Sequence, residues 1–377
     1  MSAHQKNRPE TDGFDGIAAD LEARFRVGVV APWDSSEFGR WALTVFRHQF
    51  DACDTYREFC LRRGVQPDTL DHWEDVPAVP ATAFKYFDFM SGTARGDDAV
   101  FRTSGTTRGS EDRGRHHVPR LELYRASLSS PFKTALLPEG APMRFLSLIP
   151  APADAPDSSL SFMVGSAAEH LATETHWLID ANGRLDEGGL AAALDAAIEV
   201  GEPVLMLGTA LAFSHAIDRE GVRLGALPEG SRVMETGGFK GARRVIPRSD
   251  LYSKISAATG VPTDRIVNEY GMTELLSQLY EAVLVEGPEA VGVHVPPPWL
   301  RVRALDPTTL RSLPEGEDGI LAFFDLANLG SVSHLLTEDV GSVIEGRVRL
   351  RGRIPGADAR GCSRAMDDLM TAAGASR

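Results

Sequence analysis

Hydrophobic residues in the first part of the chain recur at the spacing of an amphipathic helix. Asp34 followed by Glu37 is typical of a helix start, because such side chains bind the first free backbone N–H groups. We therefore predict a helical region over about residues 14–64, with one long helix that begins after Asp34. The apolar residues that define its buried face are Trp41, Val45, Phe46, Phe50, Cys53 and Cys60.

After residue 100 the pattern changes to short apolar runs that alternate with amphipathic stretches. This alternation is typical of an α/β fold with largely parallel sheets flanked by helices. The candidate strands are Arg144–Pro150, Pro203–Leu207, Arg232–Glu235, Arg265–Glu269, Trp299–Leu305 and Ile320–Leu326. The candidate helices are Leu190–Val200, Thr209–Arg219 and Arg248–Thr259. A β-hairpin is predicted at Asp339–Gly352, which adds a small β region.

A chain of 377 residues is long enough for two structural units, or for one large unit with an appendage. The pattern changes at two places along the chain, at the irregular segment around Pro77 and Pro80 and at the predicted hairpin. We expect an N-terminal tail and helical region over residues 1–75 and a core over residues 76–340. Residues 341–377 would form a short C-terminal hairpin and tail, a truncated appendage.

Composition and charge exclude several classes of function. The formal net charge of −14 argues against a protein that coats nucleic acid, but a nucleotide site built locally from backbone N–H groups is compatible with it. The three cysteines lack the spacing of a metal site or a disulfide framework. The polar N-terminus has no signal segment, and no apolar run reaches the roughly 20 residues of a membrane span. A cytoplasmic protein is therefore expected.

The strongest local motif is a loop rich in glycine and hydroxyl residues, TSGTTRG at residues 103–109. Glycines let backbone N–H groups approach phosphate oxygens, and hydroxyls add further donors. Arg113 and Arg115 follow closely and can meet phosphate charge. The loop is not a Walker A motif, and taken alone it is also compatible with a surface turn. The candidate phosphate-binding residues are Ser104, Gly105, Thr106 and Thr107.

A second motif, NEYGMTE at residues 268–274, directly follows an apolar strand. Ligands of α/β sheets usually bind at the carboxyl ends of the strands. Glu274 offers a carboxylate that suits Mg2+, and Tyr270 offers a ring that can stack on a purine base. Seen alone, the motif is also compatible with a turn at the start of a helix.

Two weaker motifs complete the set. Gly237 and Gly238 lie at another strand end, where glycine lets a flat ring approach the backbone. Asp339 can accept hydrogen bonds from ribose hydroxyls, and Arg353 can bind phosphate or ribose oxygens. A turn or surface charges would explain either motif alone, so the order of all four carries the argument.

Taken together and in this order, TSGTT-x-G, YGMTE, TEDVG and RGR resemble the adenylate-forming superfamily of acyl and aryl ligases. Within it, the chain is similar to the acyl-protein synthetase (LuxE-type) family. That similarity rests on VPAVPATAFK, which ends at Lys85, on RGRH at residues 113–116 and on GADARGCS at residues 356–363. It covers roughly residues 75–365 and implies the large-domain fold of these enzymes.

The resemblance implies a two-step reaction that uses ATP and Mg2+. A carboxylic acid, in this family a fatty acid, becomes an acyl-adenylate, and the acyl group then passes to Cys362 as a thioester. An acyl reductase or another acyl-acceptor protein would be the partner. The resemblance assigns the β- and γ-phosphates to Ser104, Thr106 and Thr107, and the α-phosphate to Thr273. It assigns adenine to Gly237, Gly238 and the Tyr270-Gly271 pair, and Mg2+ to Glu274. The ribose would bind Asp339, and Arg353 would make further contacts with the nucleotide.

The sequence departs from the superfamily pattern in two respects. The phosphate loop reads Arg108-Gly109-Ser110 where a lysine is common. Larger members also have a C-terminal domain with a late catalytic lysine, whereas the 24 residues after Arg353 (354–377) contain none. The candidates to replace that cation are Lys85, Lys240, Arg113 and Arg115.

Cys362 is expected to lie in an exposed and mobile segment. Arg360 and Arg364 flank it, and nearby cations lower the pKa of a thiol and favour the thiolate. Gly361 and Ser363 are small residues that favour a mobile backbone. Without the resemblance, a tail cysteine with no role explains the position equally well.

Two other functions stay open at this stage. The same motifs would serve a ligase that passes the acyl group directly to coenzyme A, a carrier protein or an amine, with Cys362 idle. A non-catalytic nucleotide-binding subunit would fit the missing C-terminal domain, although the intact loop and Glu274 argue against it. The residues alone leave a fatty, an aryl or a short-chain acid possible.

Overall fold

The computed structural model describes residues 13–93, 96–103, 113–219, 224–237, 246–354 and 360–372. Within these ranges the helices are α1 (Phe14–Arg26), α2 (Ser35–Ala52), α3 (Asp54–Arg62), α4 (Leu121–Leu136), α5 (Ser159–Leu171), α6 (Glu187–Val200), α7 (Ala210–Asp218), α8 (Arg248–Thr259), α9 (Val283–Glu286) and α10 (Arg360–Ala372). The strands are β1 (Val79–Pro80), β2 (Ala99–Arg102), β3 (Arg115–Val118), β4 (Met143–Leu148), β5 (Ala172–Trp177), β6 (Val204–Thr209), β7 (Arg232–Thr236), β8 (Ile266–Tyr270), β9 (Leu279–Glu281), β10 (His294–Val295), β11 (Leu300–Leu305), β12 (Gly319–Asp325), β13 (His334–Ile344) and β14 (Arg347–Arg353).

In the described part of the chain, twelve strands form one sheet, and β2 pairs with β3 separately. The order is β5-β4-β6-β7-β8-β9-β10-β14-β13-β12-β11, with β1 beside β13. The pairs from β5 to β8 are parallel, and those from β8 to β11 are antiparallel. The predicted α/β fold is confirmed, and the predicted hairpin is the β13–β14 pair.

The parallel half of the sheet was predictable because its strands are buried on both faces. All five residues of β7 are buried, and only one residue of β6 is partly exposed. Strands buried in this way read as continuous apolar runs. The edge strand β5 has the polar sequence ATETHW and no fully buried residue, and periodicity gave no signal for it.

The N-terminal helices cover the antiparallel half of the sheet. Phe25 of α1 packs against Trp299 with 4.6 Å between ring centroids, and Gln49 of α2 donates a hydrogen bond to the carbonyl of Asn328 at 2.9 Å. The predicted cap is present, because Asp34 accepts a hydrogen bond from the backbone N–H of Glu37 at 2.7 Å. The prediction of one long helix is wrong: Cys53 has an extended backbone (φ −113°, ψ 100°) and divides α2 from α3.

The C-terminal residues form a helix where a short tail was expected. Cys362, Ala365 and Leu369 recur at helical spacing, and all three are buried. Through this face α10 packs against α3, β1 and β13. Helical order in the segment therefore comes from packing against elements distant in the sequence. The expected division at residues 340 and 341 falls inside β13, and the domain boundaries remain a proposal.

None of the helices in the described ranges is both long and apolar enough to cross a membrane.

Candidate functional site

The second and third motifs meet at one edge of the sheet. Gly237 follows β7 and Gly271 follows β8, and these two strands are parallel neighbours with Thr236 opposite Glu269. The carboxyl ends of parallel strands therefore place both turns side by side, as the strand-end rule predicts. Gly237 has a φ of +72°, a conformation that favours glycine. Gly238 and Lys240 lie outside the described residues.

Three of the predicted nucleotide-binding residues form one connected cluster. The Tyr270 hydroxyl donates to Oδ2 of Asp339 at 2.8 Å, and Nε of Arg353 donates to Oδ1 at 3.1 Å. The Tyr270 ring stacks on Phe323, with centroids 5.6 Å apart and planes 19° apart. Burial raises the pKa of Tyr270 well above its usual value, so its hydroxyl remains a donor. The contact of Tyr270 with Asp339 was not predicted from the sequence.

The Thr273–Glu274 turn is held by two buried side chains that the sequence reasoning did not assign to the site. His116 donates from Nδ1 to the carbonyl of Thr273 at 2.7 Å, and Asn328 donates to the carbonyl of Glu274 at 2.8 Å. Burial lowers the pKa of His116 to about 4, so the ring is neutral at pH 7. The RGRH segment already contained His116, and Asn328 follows a predicted strand.

Two buried carboxyl groups lie beneath the strand ends. Burial raises the pKa of Glu269 and of Glu235 to about 7, although hydrogen bonds from Thr236 and Asn268 act in the opposite direction. Oε1 of Glu269 would lie 2.5 Å from any Cβ added at Gly271. Glycine at position 271 therefore has a packing reason in addition to its predicted place near the nucleotide.

The phosphate loop itself, including Ser104, Gly105, Thr106 and Thr107, lies outside the described residues. Arg113, at its end, donates to the carbonyls of Arg102 and Thr103 and pairs with Asp157 at 2.8 Å. Arg115 pairs with Asp88 at 2.9 Å. Both guanidinium groups already pair with a carboxylate. Arg113 or Arg115 would therefore have to break its ion pair with Asp157 or Asp88 in order to bind phosphate. Their role at the α-phosphate stays a prediction.

The environment of Cys362 differs from the expected one. The residue Cys362 is 9% exposed, and its Sγ donates to the carbonyl of Thr337 at 3.5 Å. Burial, assisted by the carboxylate of Glu338, raises its pKa to about 11. The expectation of an exposed thiol with a lowered pKa is therefore wrong. Arg364 lies on the exposed face of α10, whereas Cys362 is buried, because residues two positions apart in a helix point in different directions.

Cys362 and Asp339 lie on opposite faces of the sheet. Leu336 of β13 packs in the same apolar cluster as Cys362, whereas Leu335 packs with Phe323, the partner of Tyr270. Asp339 accepts a hydrogen bond from Tyr270, whose ring stacks on Phe323, so its carboxylate lies on the face of Leu335 and Phe323. The thiol is thus separated from the predicted ribose-binding carboxylate by the sheet.

We expect alkylation of Cys362 by iodoacetamide to accelerate about tenfold per unit from pH 7 to pH 9, because only the thiolate reacts and its pKa lies near 11. Mass spectrometry of the Cys362 peptide at timed intervals measures the rate. A plateau reached below pH 8 would show a thiol activated in the resting protein.

Comparisons with known proteins show the family of this chain. The sequence pattern of the acyl-protein synthetase family, LuxE, matches residues 34–371. The long-chain-fatty-acid–luciferin-component ligase of Vibrio harveyi is 23% identical over 95% of this chain and 96% of its own length. The ligase of the same name from Aliivibrio fischeri is 22% identical over 80% of this chain and 77% of its own length.

Among solved structures, an open conformation of 2-hydroxyisobutyryl-CoA ligase has a TM-score of 0.57 at 15% identity, over 85% of this chain and 75% of that one. The likeness shows a shared fold, as predicted. ATP-bound MatB from Rhodopseudomonas palustris has a TM-score of 0.48 at 18% identity, and this chain spans about half of its length, 49%. The family match covers most of the chain, so this protein belongs to the acyl-protein synthetase family, LuxE.

Proposed function

We propose that the protein activates a fatty acid with ATP and transfers the acyl group to its own Cys362. The observation that carries the proposal is the cluster of Tyr270, Asp339 and Arg353 beside the ends of β7 and β8. Family membership and the names of the Vibrio and Aliivibrio relatives favour a long-chain fatty acid. An acyl reductase or another acyl-acceptor protein would take up the product.

In the first step a carboxylate oxygen attacks the α-phosphorus of ATP, and pyrophosphate leaves. Asp339 and Arg353 would bind the ribose and neighbouring oxygens, with Gly237, Gly238, Tyr270 and Gly271 around adenine. Thr273 would contact the α-phosphate. Ser104, Gly105, Thr106 and Thr107 would hold the β- and γ-phosphates.

Glu274 is the proposed ligand of Mg2+. Sites for this ion commonly use one or two carboxylates together with substrate phosphates. The half-buried Glu274 in a turn held by His116 and Asn328 fits that pattern. When bound, Mg2+ would offset the negative charge of the phosphates.

In the second step the thiol loses its proton, sulfur attacks the acyl carbonyl carbon, and AMP leaves. The resulting thioester divides one difficult transfer into two easier ones. Because Cys362 and Asp339 lie on opposite faces of the sheet, α10 would have to undock from α3, β1 and β13 before the sulfur can reach the adenylate. The contacts to be broken include the Arg63–Asp368 ion pair at 2.8 Å and the hydrogen bond from Gly361 to the carbonyl of Pro307 at 2.8 Å.

The test is incubation with ATP, Mg2+ and fatty acids of graded length, followed by intact mass measurement and digestion. An adduct on the Cys362 peptide that hydroxylamine removes supports the proposal, and its mass identifies the acid. Absence of both pyrophosphate release and adduct with every acid would contradict it.

Asp339→Asn is expected to raise KM for ATP about tenfold or more with a smaller change in kcat, because the carboxylate would contribute to binding in the ground state and the transition state alike. Pyrophosphate exchange at varied ATP measures both constants. Asp318→Asn is the matched control, since Asp318 pairs with Arg351 of the same hairpin at 3.2 Å. An unchanged KM in Asp339→Asn would remove Asp339 from the site.

A second candidate function is favoured by the buried, unactivated state of Cys362. In that case the acyl group would pass directly to coenzyme A, a carrier protein or an amine. A product screen with each acceptor, using the Cys362→Ala protein, separates the two functions, because only direct transfer survives the substitution.

A further inference from the structure

A cavity of about 400 Å3, open to solvent on one side, lies between the end of α3, the segment before β1 and one face of β11 and β13. Its volume is within the roughly 300–1,000 Å3 of small-molecule pockets. The apolar part of its wall includes Val65, Ala78, Leu305, Leu310 and Leu336. The cavity lies on the face of the sheet opposite Asp339 and Tyr270, so it does not belong to the nucleotide site.

The apolar residues that surround Cys362 also line this cavity. Leu305 and Leu336 belong to the apolar cluster that contains Cys362, and Ala78 and Leu310 pack against that cluster. All four also line the cavity. The apolar cluster around the sulfur and the apolar wall of the cavity therefore share these four side chains, and an alkyl chain attached to Sγ would reach the cavity by passing between them.

Leu310 has a backbone conformation that is rare for leucine and brings its side chain to this place. Its φ is +59°, in the left-handed region. A Cβ at Gly361 would lie 2.4 Å from Cδ2 of Leu310 and 2.9 Å from the carbonyl oxygen of Pro307. Glycine at 361 thus lets Leu310 lie between the first turn of α10 and the cavity. Strain of this kind is often found at ligand sites.

His334 gives the cavity wall one polar acceptor, which an alkyl chain would leave to a water molecule. The residue is 2% exposed and lines the cavity. Its Nδ1 donates to the carbonyl of Val76 at 2.6 Å, and its Nε2 has no partner among the described residues. A buried polar atom without a partner calls for water or a ligand nearby.

We infer that this cavity holds the fatty-acyl chain of the Cys362 thioester while α10 is docked. The inference rests on the proposed function, which supplies the thioester. The acyl chain is removed from water when it lies against the apolar wall. Burial of its methylene groups therefore stabilises the acylated protein with α10 docked relative to the acylated protein with α10 undocked. The cavity also sets a preferred chain length, because longer chains would project beyond it.

The first test does not use catalysis. Alkyl methanethiosulfonates convert Cys362 to a mixed disulfide: sulfur attacks the reagent sulfur, methanesulfinate leaves, and the thiol proton goes to solvent. Singly modified protein carrying a methyl or a dodecyl group is compared by thermal unfolding, with the site confirmed by digestion. The dodecyl adduct is expected to melt roughly 3 °C or more above the methyl adduct, because its chain is buried.

Ala78→Phe fills the cavity from a half-buried wall position and should abolish that difference. Val65→Phe fills it from another wall and repeats the test if the first variant does not fold. Ala258→Phe, at a half-buried position of α8 against a different apolar cluster, is the matched control and should behave as wild type. Equal melting of the two adducts in the wild type, or failure of Cys362 to accept dodecyl where it accepts methyl, would overturn the inference.

A second test links the cavity to the reaction. In Ala78→Phe, the long-chain thioester on Cys362 should accumulate at least tenfold less, with pyrophosphate exchange and the butanoyl thioester unchanged. An unaltered chain-length profile contradicts the inference. If the wild type forms no adenylate with any acid, the proposed function fails, whereas the disulfide experiment still decides whether the cavity takes an alkyl chain.

Discussion

Replacing Cys362 with serine is expected to abolish the hydroxylamine-sensitive acyl adduct and to leave ATP–pyrophosphate exchange within about twofold of wild type. Exchange reports only the first step, and Tyr270 and Asp339, which we propose for that step, lie on the other face of the sheet. Serine is close in size to cysteine, so α10 should remain packed against β1 and β13. Serine is also a far weaker nucleophile than a thiolate at neutral pH. Intact mass and exchange assays on the same preparation measure both effects.

Ser363→Ala is the control for this experiment, because Ser363 is exposed on the same turn of α10. It should retain both activities. An adduct of unchanged amount in Cys362→Ser would place the acyl group on another residue. Loss of exchange together with the adduct would instead show that α10 contributes to adenylation.

Glu274→Gln is expected to lower the rate of pyrophosphate exchange roughly 100-fold or more, because a neutral amide is a poor ligand for Mg2+ and leaves phosphate charge uncompensated. The backbone carbonyl of residue 274 still accepts the hydrogen bond from Asn328, so the turn should persist. Exchange rates at increasing Mg2+ concentration measure the effect, and partial recovery at high Mg2+ would identify the lost contact.

Glu289→Gln is the matched control for Glu274→Gln, since Glu289 is an exposed glutamate that belongs to none of the predicted motifs. Its exchange rate should equal that of wild type. A rate for Glu274→Gln within threefold of wild type would exclude Glu274 as the metal ligand.

The elements that the sequence predicted well are those whose pattern depends on their own residues. Strands β4, β6, β7 and β8 read as apolar runs because both of their faces are buried. The glycines and acidic residues that follow β7 and β8 marked the candidate site, because strand ends of a parallel sheet meet at one edge.

The environment of Cys362 could not be predicted, because it depends on residues far away in the sequence. Arg360 and Arg364 are its neighbours along the chain, but in a helix the thiol points instead towards Leu305 and Leu336. The same limitation applies to Tyr270, whose partner Asp339 is 69 positions away. Local charge is a poor guide to pKa when the fold decides which groups meet.

The layer of strands between Asp339 and Cys362 has a kinetic consequence. Activation of the acid and loading of the sulfur would be two half-reactions in separate compartments of one chain, and the undocking of α10 would connect them. The turnover rate would then depend on how often α10 undocks as much as on the rate of adenylation or of thioester formation. Substitutions at Arg63 or Asp368, whose ion pair helps to hold α10 against the rest of the protein, would alter the turnover rate without altering the affinity for ATP.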